Sequence, residues 1–280
     1  EPPPLVDPRG PADFDHQAAW RTLPELATAP PPVGSEANAR VRGLIVARLT
    51  ALGLAPEVQR AVGMNGHATT AGIVHNVLAR MDPRDLAPDR RARDAILLVC
   101  HYDSRIAAVG AGDDAAGVAA LLEALRALKE GPPPRRPVIF LCTDGEEQGL
   151  LGAEAFVSQH RWAKEVAVVL NFEARGTAGP ALLFETSPGA GRLVRAAAAV
   201  APRITGTSLA GAVYRRMPND TDLSVFLEQG FEGLNFAFNR GWRHYHTRLD
   251  DPAHLDPRSL AHHGRTALEL TRRLGGLAVP

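Results

Sequence analysis

The sequence predicts an α/β protein with a mixed, mostly parallel central sheet and helices on both faces. From Ala95 onward, short apolar runs rich in β-formers alternate with helical stretches, and the runs are 95–100, 137–142, 166–171, 181–185 and 234–238. Continuous apolar runs are typical of strands that helices cover on both sides. A chain of 280 residues can bury a large core within one domain of this kind. We therefore predict a single domain over residues 35–280.

The first 34 residues are rich in proline, which predicts an extended arm (1–34) that lies on the domain. The chain begins at Glu1 without an initiator Met, which suggests that a leader or anchor was removed. We accordingly expect an extracytoplasmic location, whether periplasmic, secreted or membrane-anchored. No apolar run approaches the roughly 20 residues that span a bilayer, so we expect that this chain does not cross a membrane.

A helix is predicted directly after this arm. Ser35 is a suitable N-cap, apolar residues recur at helical spacing from Val41 to Leu52, and Gly53 offers a stop. Two strand-like segments follow at 55–62 and 72–81, and then a polar, Arg-rich loop that contains Pro83 and Pro88.

Two further helices are well marked in the second half of the chain. One follows the strand at 95–100: its apolar stripe runs from Val118 to Leu128, and the segment "GPPP" ends it. The other is the last helix, which Asp256 can cap and for which Pro257 suits the first position.

Charge and cysteine content narrow the classes of function. The 31 basic and 31 acidic residues cancel, so no strong field favours nucleic acid or an anionic membrane surface, and a small substrate or a peptide is the more natural partner. Cys100 and Cys142 both end apolar runs, which favours buried free thiols and leaves one bridge as the alternative.

Histidines and carboxylates follow the predicted strands at the points where the strands end. Ligands of open α/β sheets gather beyond the carboxyl ends of the strands, so these side chains are expected at one edge. The residues concerned are His101, Asp103, Asp113, Asp114, Asp144, Glu146, Glu147, Glu173, His244, His246 and Asp250. So many carboxylates repel one another unless a positive charge lies among them.

Each of these residues also has an ordinary explanation when it is taken alone. A lone His at a strand end is usually hydrogen-bonded or solvated, Asp113 and Asp114 could cap a helix, and "GEE" could be a solvated first turn. Recurrence after four strands argues against independent surface residues. Imidazole and carboxylate groups with one carboxylate to spare are what a two-metal site requires.

The pair Glu146-Glu147 fits the division of work in such a site. Two zinc ions about 3.5–4 Å apart can share one carboxylate and one hydroxide, which metal coordination makes available near neutral pH. A second, unliganded carboxylate is then needed to take a proton and pass it to the leaving amine. Adjacent residues on a tight turn at Gly145 can fill both roles.

The motifs resemble those of metallopeptidase family 28, the co-catalytic zinc exopeptidases. The resemblance rests on an ordered set of motifs and extends from "PPPVGSEANAR" to near the end of the chain. The motifs are "HYDS" (101–104), "GAGDDAAG" (110–117), "DGEEQGLLGAEAF" (144–156), "NFEARG" (171–176), "NDTDLSVF" (219–226) and "YHTRLD" (245–250). The last three are most similar to the endoplasmic-reticulum-type branch of the family.

The resemblance implies a role for each site residue. Asp113 would bridge two zinc ions, with His101 and Glu173 on one ion and Glu147 and His246 on the other. Glu146 would be the general base and acid. Asp103 and Asp250 would support the ligands, Asp103 by a hydrogen bond that fixes the tautomer of the His101 imidazole. Members of the family often hold the peptide bond after the bridging Asp in cis, which here is Asp113-Asp114.

One departure concerns the donor to the scissile carbonyl. Many aminopeptidases of the family carry Tyr-Ser-Asp-His where this chain has "DTDL" at 220–223. Tyr245 is a candidate for binding the substrate, with a structural aromatic as the alternative. His244 would share a face with His246 on extended chain, but the motif favours His246. His262 and His263 are predicted to lie at the surface.

The resemblance therefore implies a zinc aminopeptidase that hydrolyses N-terminal residues of peptides by means of a hydroxide between two zinc ions. A glutaminyl cyclase-like enzyme with one zinc is the alternative within the fold, but that family lacks the first His ligand, so His101 argues against it. A carboxypeptidase or deacylase would need a lid of about a hundred residues between Glu173 and His246, which the chain does not have. A non-catalytic binding domain would usually have lost ligands or the base.

Overall fold

The computed structural model describes residues 1–67, 69–83, 93–200 and 204–276. The predicted loop around Pro88 lies outside these residues. The described part contains eight α-helices and eight strands. The helices are α1 (His16–Leu26), α2 (Glu36–Ala51), α3 (Gly117–Glu130), α4 (Leu151–Gln159), α5 (Gly191–Ala198), α6 (Ser208–Tyr214), α7 (Asp222–Glu228) and α8 (Pro257–Gly276). The strands are β1 (Glu57–Asn65), β2 (Thr70–Met81), β3 (Ala95–His101), β4 (Val138–Thr143), β5 (Val166–Ala174), β6 (Leu182–Thr186), β7 (Thr205–Gly206) and β8 (Glu232–Phe238).

The strands form one mixed sheet in the order β1-β2-β4-β3-β5-β8-β6-β7. The central strands β4, β3, β5 and β8 run parallel to one another. The hairpin β1–β2 adds antiparallel to β4 on one side, and β6 adds antiparallel to β8 on the other. The predicted mixed, mostly parallel sheet is therefore confirmed, and its parallel centre directs four carboxyl ends to the same edge.

Helices cover both faces of this sheet, as predicted. Alternate residues of the central strands pack on each side: Leu98 and Phe140 belong to the cluster with α1, α2, α3 and α8, whereas Val99 and Leu141 belong to the cluster with α4 and α7. Strands β3 and β4 are buried over their whole length. Burial on both faces explains why these runs are continuously apolar rather than alternating.

The helix boundaries follow the predicted caps. Ser35 accepts a hydrogen bond from the Asn38 amide at 3.0 Å at the start of α2, and Asp256 accepts one from the Arg258 amide at 2.9 Å at the start of α8. These side chains satisfy amides that have no partner inside the helix. None of the helices in the described ranges has the length and hydropathy needed to cross a bilayer. Cys100 and Cys142 are buried free thiols, as predicted, and are paired in register on β3 and β4.

The expectation that the first 34 residues are extended is wrong for His16–Leu26, which form α1. Asp15 caps this helix by accepting from the amides of Gln17 and Ala18 at 2.8 and 3.0 Å. Leu23 and Leu26 are buried in the same cluster as α3 and α8. Burial of one apolar face therefore outweighs the proline-rich composition of the flanking segments.

We expect that α1 contributes substantially to the stability of the fold. Leu23 is fully buried, so Leu23→Ala should lower the free energy of unfolding by about 2–5 kcal/mol through the cavity that it leaves. Leu5 is 39% exposed, and Leu5→Ala should change that free energy by less than about 0.5 kcal/mol. Denaturant titration of both variants measures the difference. Equal, small effects would show that α1 is not part of the core.

Candidate functional site

The parallel strands bring the predicted site residues to one edge of the sheet. His101 is the last residue of β3, and Glu173 lies one residue before the end of β5. Glu147 follows β4, and His246 follows β8. Asp113 lies in the irregular turn Ala111–Ala116 that leads into α3. Five residues from distant parts of the chain therefore converge because their strands run in the same direction.

Asp113 lies between two histidines and directs one carboxylate oxygen toward each. Its Oδ1 is 3.2 Å from Nε2 of His101, and its Oδ2 is 3.2 Å from Nε2 of His246. Nε2 of His101 is also 3.4 Å from Oε2 of Glu173. Nε2 of His246 is 3.0 Å from Oε1 of Glu147. A single carboxylate thus belongs to two groups of three side chains.

These two groups are His101, Asp113, Glu173 and Asp113, Glu147, His246. Within each group the potential ligand atoms lie within 4.8 Å of one another, and only His246 is not fully buried. The grouping is the one that the resemblance implied for two metal ions. The structure therefore brings together all five predicted ligands and divides them in the predicted way.

The tautomer of His101 shows which of its nitrogens faces the cluster. Nδ1 lies 3.0 Å from the backbone carbonyl oxygen of Asp103, to which only a protonated nitrogen can donate. A neutral His101 then directs the Nε2 lone pair at carboxylate oxygens of Asp113 and Glu173. Lone pairs at this distance repel unless a proton or a metal ion lies between them.

Burial and mutual charge shift the pKa values of the whole cluster. Burial raises the pKa values of Glu147 and Glu173. Burial also opposes ionisation of Asp113, but the neighbouring imidazoles of His101 and His246 hold its pKa at about 2. Burial disfavours the charged form of His246, yet Asp113 and Glu147 raise its pKa to about 9. The carboxylates thus draw positive charge into the site, which is the property of a cation-binding centre.

Glu146 lines a cavity beside the two groups but belongs to neither of them. Burial, followed by the charge of Glu173, raises the pKa of Glu146 well above its usual range. Gly145 has φ 81°, a left-handed conformation that glycine adopts readily, which lets the chain turn directly after β4. The turn therefore places the Glu147 carboxylate in the group with Asp113 and His246 and leaves the Glu146 carboxylate outside both groups.

Asp103 supports this turn rather than mainly the His101 ring. Its carboxylate oxygens accept hydrogen bonds from the amides of Glu146 and Glu147 at 3.1 and 3.2 Å. They lie farther from His101, at 3.6 Å from Nδ1, whereas the Asp103 backbone carbonyl makes the 3.0 Å contact. The predicted hydrogen bond to the imidazole is therefore made by the backbone, and the fully buried carboxylate fixes the Glu146-Glu147 turn.

Asp250 holds the loop that carries Asp113. Its carboxylate accepts from the amides of Gly112 and Asp113 at 2.6 and 3.2 Å. A Cβ at Gly112 would lie 2.4 Å from the Gly176 carbonyl oxygen, so this close approach of two backbones requires glycine. The Asp113-Asp114 peptide bond is cis, as the resemblance implied. The predicted supporting role of Asp250 thus corresponds to hydrogen bonds with the loop backbone.

Tyr245 and His246 lie together, whereas His244 points elsewhere. The Tyr245 ring stacks on the His246 ring with centroids 3.7 Å apart. His246 has φ 58°, which is uncommon for a residue other than glycine and recurs at functional sites. His244 instead contacts the Thr177 hydroxyl at 2.8 Å through Nδ1 and belongs to neither group of potential ligands. The choice of His246 over His244 agrees with this geometry.

The prediction that His262 and His263 lie at the surface is wrong, because both are buried in α8. Nε2 of His263 donates to the backbone carbonyl of Glu173 at 2.9 Å, and Nδ1 of His262 accepts from the Ala181 amide at 3.0 Å. Their partners are more than 80 residues away along the chain. His263 therefore helps to position the end of β5, a role that sequence spacing does not indicate.

Two further polar residues support the site. The sequence left the role of Asp144 open; its buried carboxylate accepts from the Asn38 side chain and the His75 amide, both at 2.9 Å, which ties the end of β4 to α2 and β2. Asn171 donates to Oε1 of Glu173 at 3.2 Å and to Asn235 at 2.9 Å. Asn171 stands in the motif "NFEARG" without an assigned role, so only its position in that motif could have indicated it.

A cavity of about 510 Å³ opens beside the two groups. Asp113, Glu146, Glu173 and Tyr245 are part of its lining. Much of the remaining lining is apolar. It comes from Leu182 and Phe184 of β6 and from Leu209, Val213 and Tyr214 of α6. The volume and mixed lining are typical of a pocket for a small molecule or the end of a peptide.

A family model described as peptidase family M28 matches residues 76–271, which include every residue of the two groups. The chain belongs to peptidase family M28. The expected family is therefore confirmed. The match covers well over half of the chain; it begins within β2 and ends within α8.

Relatives of this M28 chain include two kinds of protease, one named for the endoplasmic reticulum and one for the vacuolar membrane. Endoplasmic reticulum metallopeptidase 1 of Mus musculus is 31% identical over 228 residues, covering 78% of this chain and 25% of the relative. Vacuolar membrane protease of Eremothecium gossypii is 31% identical over 289 aligned residues, covering 93% and 27%. The chain thus spans about a quarter of the length of these relatives.

Solved structures with the same fold carry two different activities in their names. A leucine aminopeptidase precursor from Bacteroides thetaiotaomicron has a TM-score of 0.74 at 18% identity, covering 94% of this chain and 98% of the other. A glutaminyl cyclase from Porphyromonas gingivalis has a TM-score of 0.72 at 20% identity, covering 92% and 98%. At such low identity these similarities establish the fold and leave the choice of activity to the residues of the site.

The donor set of this M28 chain fits two zinc ions. Each group combines one imidazole nitrogen with two carboxylates, which are common zinc ligands. Oε1 of Glu147 and Nε2 of His246 are buried, face each other at 3.0 Å, and make no hydrogen bond of acceptable geometry. A shared metal ion would satisfy both atoms.

Removal of the Asp250 carboxylate should destabilise the loop of Asp113. In Asp250→Ala the amides of Gly112 and Asp113 lose their buried partners, and each such loss costs about 1–3 kcal/mol of unfolding free energy. Amide hydrogen exchange at both positions should accelerate. Asp7→Ala, at a side chain that is 84% exposed, serves as the control and should leave both measurements unchanged. Unaltered exchange in Asp250→Ala would contradict the assigned hydrogen bonds.

Proposed function

We propose that this M28 chain is a metal-dependent aminopeptidase that removes N-terminal residues from peptides, with two zinc ions as cofactors. The observation that carries the proposal is the division of the carboxylates at one sheet edge. Asp113 contributes an oxygen to each group of three, whereas Glu146 faces the cavity and belongs to neither group. Such a centre has a complete ligand set and one carboxylate free for proton transfer.

The proposed ligands are His101 and Glu173 for one ion, Glu147 and His246 for the other, and Asp113 for both. When bound, two zinc ions supply a hydroxide near neutral pH and stabilise negative charge that develops on the scissile carbonyl. Glu146 takes the proton of the attacking water and delivers it to the leaving amine. Its place in the cavity, outside both groups of ligands, leaves it free for this exchange.

The hydrogen bonds around Glu146 keep the two carboxylates of the pair apart. Asp103 accepts from the amides of both residues and so fixes the turn in one conformation. Only the side chain of Glu147 is then directed at His246. A fixed base near the reacting atoms avoids reorganisation during the reaction.

Tyr245 is proposed to bind the substrate by donating a hydrogen bond to the scissile carbonyl. It lines the cavity and stacks on His246, so its ring is held beside the second group. Burial raises the pKa of its hydroxyl, and the charges of Asp113 and Glu146 raise it further. The phenol therefore stays protonated at neutral pH and can act as a donor.

Preference for a free N-terminus is supported by the charge of the cavity. Glu146 and Asp220 line it outside both groups of potential ligands, and an α-ammonium group is attracted to these carboxylates. A glutaminyl cyclase of the same fold is less well supported, because His101 completes the first group and gives the chain ligands for two ions. A binding domain without activity would not require Glu146 to remain free.

The relatives suggest where the protein acts. Their names place them in the endoplasmic reticulum and at the vacuolar membrane. We infer an extracytoplasmic compartment for this domain, in which peptides with free N-termini are the partners and neither nucleic acid nor a membrane surface is required.

Glu146→Gln should abolish peptide hydrolysis without loss of metal. The amide cannot take up a proton, so kcat should fall by about 10²–10⁴-fold. Zinc content, measured by mass spectrometry of metals, should stay at the value of the unmodified protein because Glu146 belongs to neither group. Glu130→Gln, at the exposed end of α3, is the control. If Glu146→Gln retained full activity, the proposed mechanism would be wrong.

Blocking the substrate's N-terminus should distinguish an aminopeptidase from other peptidases. A peptide with a free α-amine should be hydrolysed at its first bond, whereas its N-acetylated counterpart should not, because it lacks the positive charge that the cavity attracts. Mass spectrometry of the products identifies the cleaved bond. Hydrolysis of acetylated peptides at the same rate, or cleavage at internal bonds, would overturn the aminopeptidase assignment.

A further inference from the structure

We propose that Arg175 binds a carboxylate of the substrate, and so favours peptides that carry a negative charge close to the scissile bond. The proposal rests on the proposed hydrolysis of peptides in this cavity and concerns which peptides are preferred. Arg175 has no role in either group of potential metal ligands. It belongs to the motif "NFEARG" (171–176), and the proposed two-metal chemistry gives it no role.

The backbone of β5 places Arg175 in the substrate cavity. Its amide donates to the carbonyl of Phe238 at 2.9 Å, which continues the pairing of β5 with β8 by one residue. Side chains two residues apart on extended chain point to the same side, so Arg175 shares a side with Glu173. Both side chains line the cavity. The guanidinium is therefore held at a fixed position relative to the proposed catalytic groups.

The contacts of Arg175 do not include a carboxylate. Nη1 donates to Oδ1 of Asn219 at 2.9 Å and lies 4.0 Å from the Met217 sulfur. The guanidinium carbon lies 5.6 Å from the centre of the Tyr245 ring. All three partners are neutral, and no ion pair of Arg175 is found within 4.0 Å among the described residues. Arg126 and Arg136, by contrast, each pair with a carboxylate.

A carboxylate is the ligand that matches this arrangement. A guanidinium carries five N–H donors in a planar fork, and a carboxylate accepts two of them side by side. Asn219 contacts one edge and Tyr245 one face of the guanidinium, and among the described residues Nε and Nη2 make no hydrogen bond. Among the described residues that line the cavity, Arg175 is the only Lys or Arg. Among the described lining residues, Arg175 is thus the one basic side chain that can bind an anionic group of the substrate.

The residues around Arg175 do not neutralise it in another way. Asp220 also lines the cavity, but it is exposed and its Oδ1 accepts from the Ser224 hydroxyl at 3.4 Å. Glu173 faces His101 and Asn171 instead. A merely structural role, in which Arg175 holds Asn219 in place, would affect stability but would not distinguish a charged substrate from a neutral one of the same shape.

Two parts of a peptide can supply the carboxylate. One is the side chain of an N-terminal Glu or Asp, and the other is the free C-terminus of a dipeptide. Two matched pairs separate them: Glu-Ala-amide against Gln-Ala-amide, and Leu-Gly against Leu-Gly-amide. Within each pair the members have nearly the same shape and differ by one negative charge.

The test compares kcat/KM for both pairs in the zinc-loaded protein and in Arg175→Gln, Arg175→Lys and Arg216→Gln. In one pair the charged member should be favoured by about 10- to 100-fold, the range expected of charge-assisted hydrogen bonds. Arg175→Gln should make the members of that pair equivalent, and Arg175→Lys should restore part of the preference. Arg216 is exposed and is absent from the cavity lining, so Arg216→Gln should retain the full preference.

Binding measured by calorimetry keeps this test separate from the test of activity. The same pairs are titrated into the Glu146→Gln protein, alone and combined with Arg175→Gln, and the ratio of Kd values within each pair is compared. If no peptide is hydrolysed but the Kd ratio depends on Arg175, the proposed function fails and the assignment of Arg175 stands. Equal binding of the members of both pairs, or a preference that survives Arg175→Gln, would overturn it.

Discussion

The position of the Asp113 carboxylate, with one oxygen toward His101 and the other toward His246, is the constraint on which the rest of the site depends. A bridging group must be fixed more tightly than a terminal ligand, because a displacement would disturb two centres at once. The Asp250 carboxylate accepts hydrogen bonds from two backbone amides of the loop that carries Asp113, and Gly112 allows this loop to approach Gly176 closely. The parallel centre of the sheet then brings the other ligands to the same edge.

The buried carboxylates at this edge of the sheet need positive charge among them. Several carboxylates are buried within one cluster, and burial raises the pKa values of Glu146, Glu147 and Glu173. A raised pKa makes these carboxyl groups neutral but makes a histidine positively charged. The pKa of His246 rises to about 9 beside Asp113 and Glu147, which favours its charged form. Two divalent cations would neutralise the excess negative charge of the cluster. Glu146, which is not a ligand in the proposed centre, would then be free to exchange a proton. The same cavity contains Arg175, whose charge is complementary to an anionic part of a substrate.

The sequence was sufficient for the parts of the molecule that local patterns determine. Apolar runs such as β3 and β4 revealed the sheet, and the order of the motifs revealed all five residues of the two groups. Features that depend on distant contacts were not accessible. His263 and His262 are polar neighbours that look exposed in sequence, yet each meets a backbone group more than 80 residues away. The helix α1 was not predicted, because the proline-rich composition of its flanks outweighed the short apolar pattern of its buried face. The carboxylate of Asp103 was predicted to bind an imidazole, whereas it accepts hydrogen bonds from the amides of Glu146 and Glu147.

A crystal structure of the zinc-loaded protein, with anomalous data collected at the zinc edge, tests the central claim most directly. The account predicts two anomalous peaks about 3.5–4 Å apart, both contacted by Asp113, one by His101 and Glu173 and the other by Glu147 and His246. The Glu146 carboxylate should approach neither peak as a ligand. A single peak, or a peak that Glu146 coordinates, would contradict the division of the carboxylates on which the proposed mechanism depends.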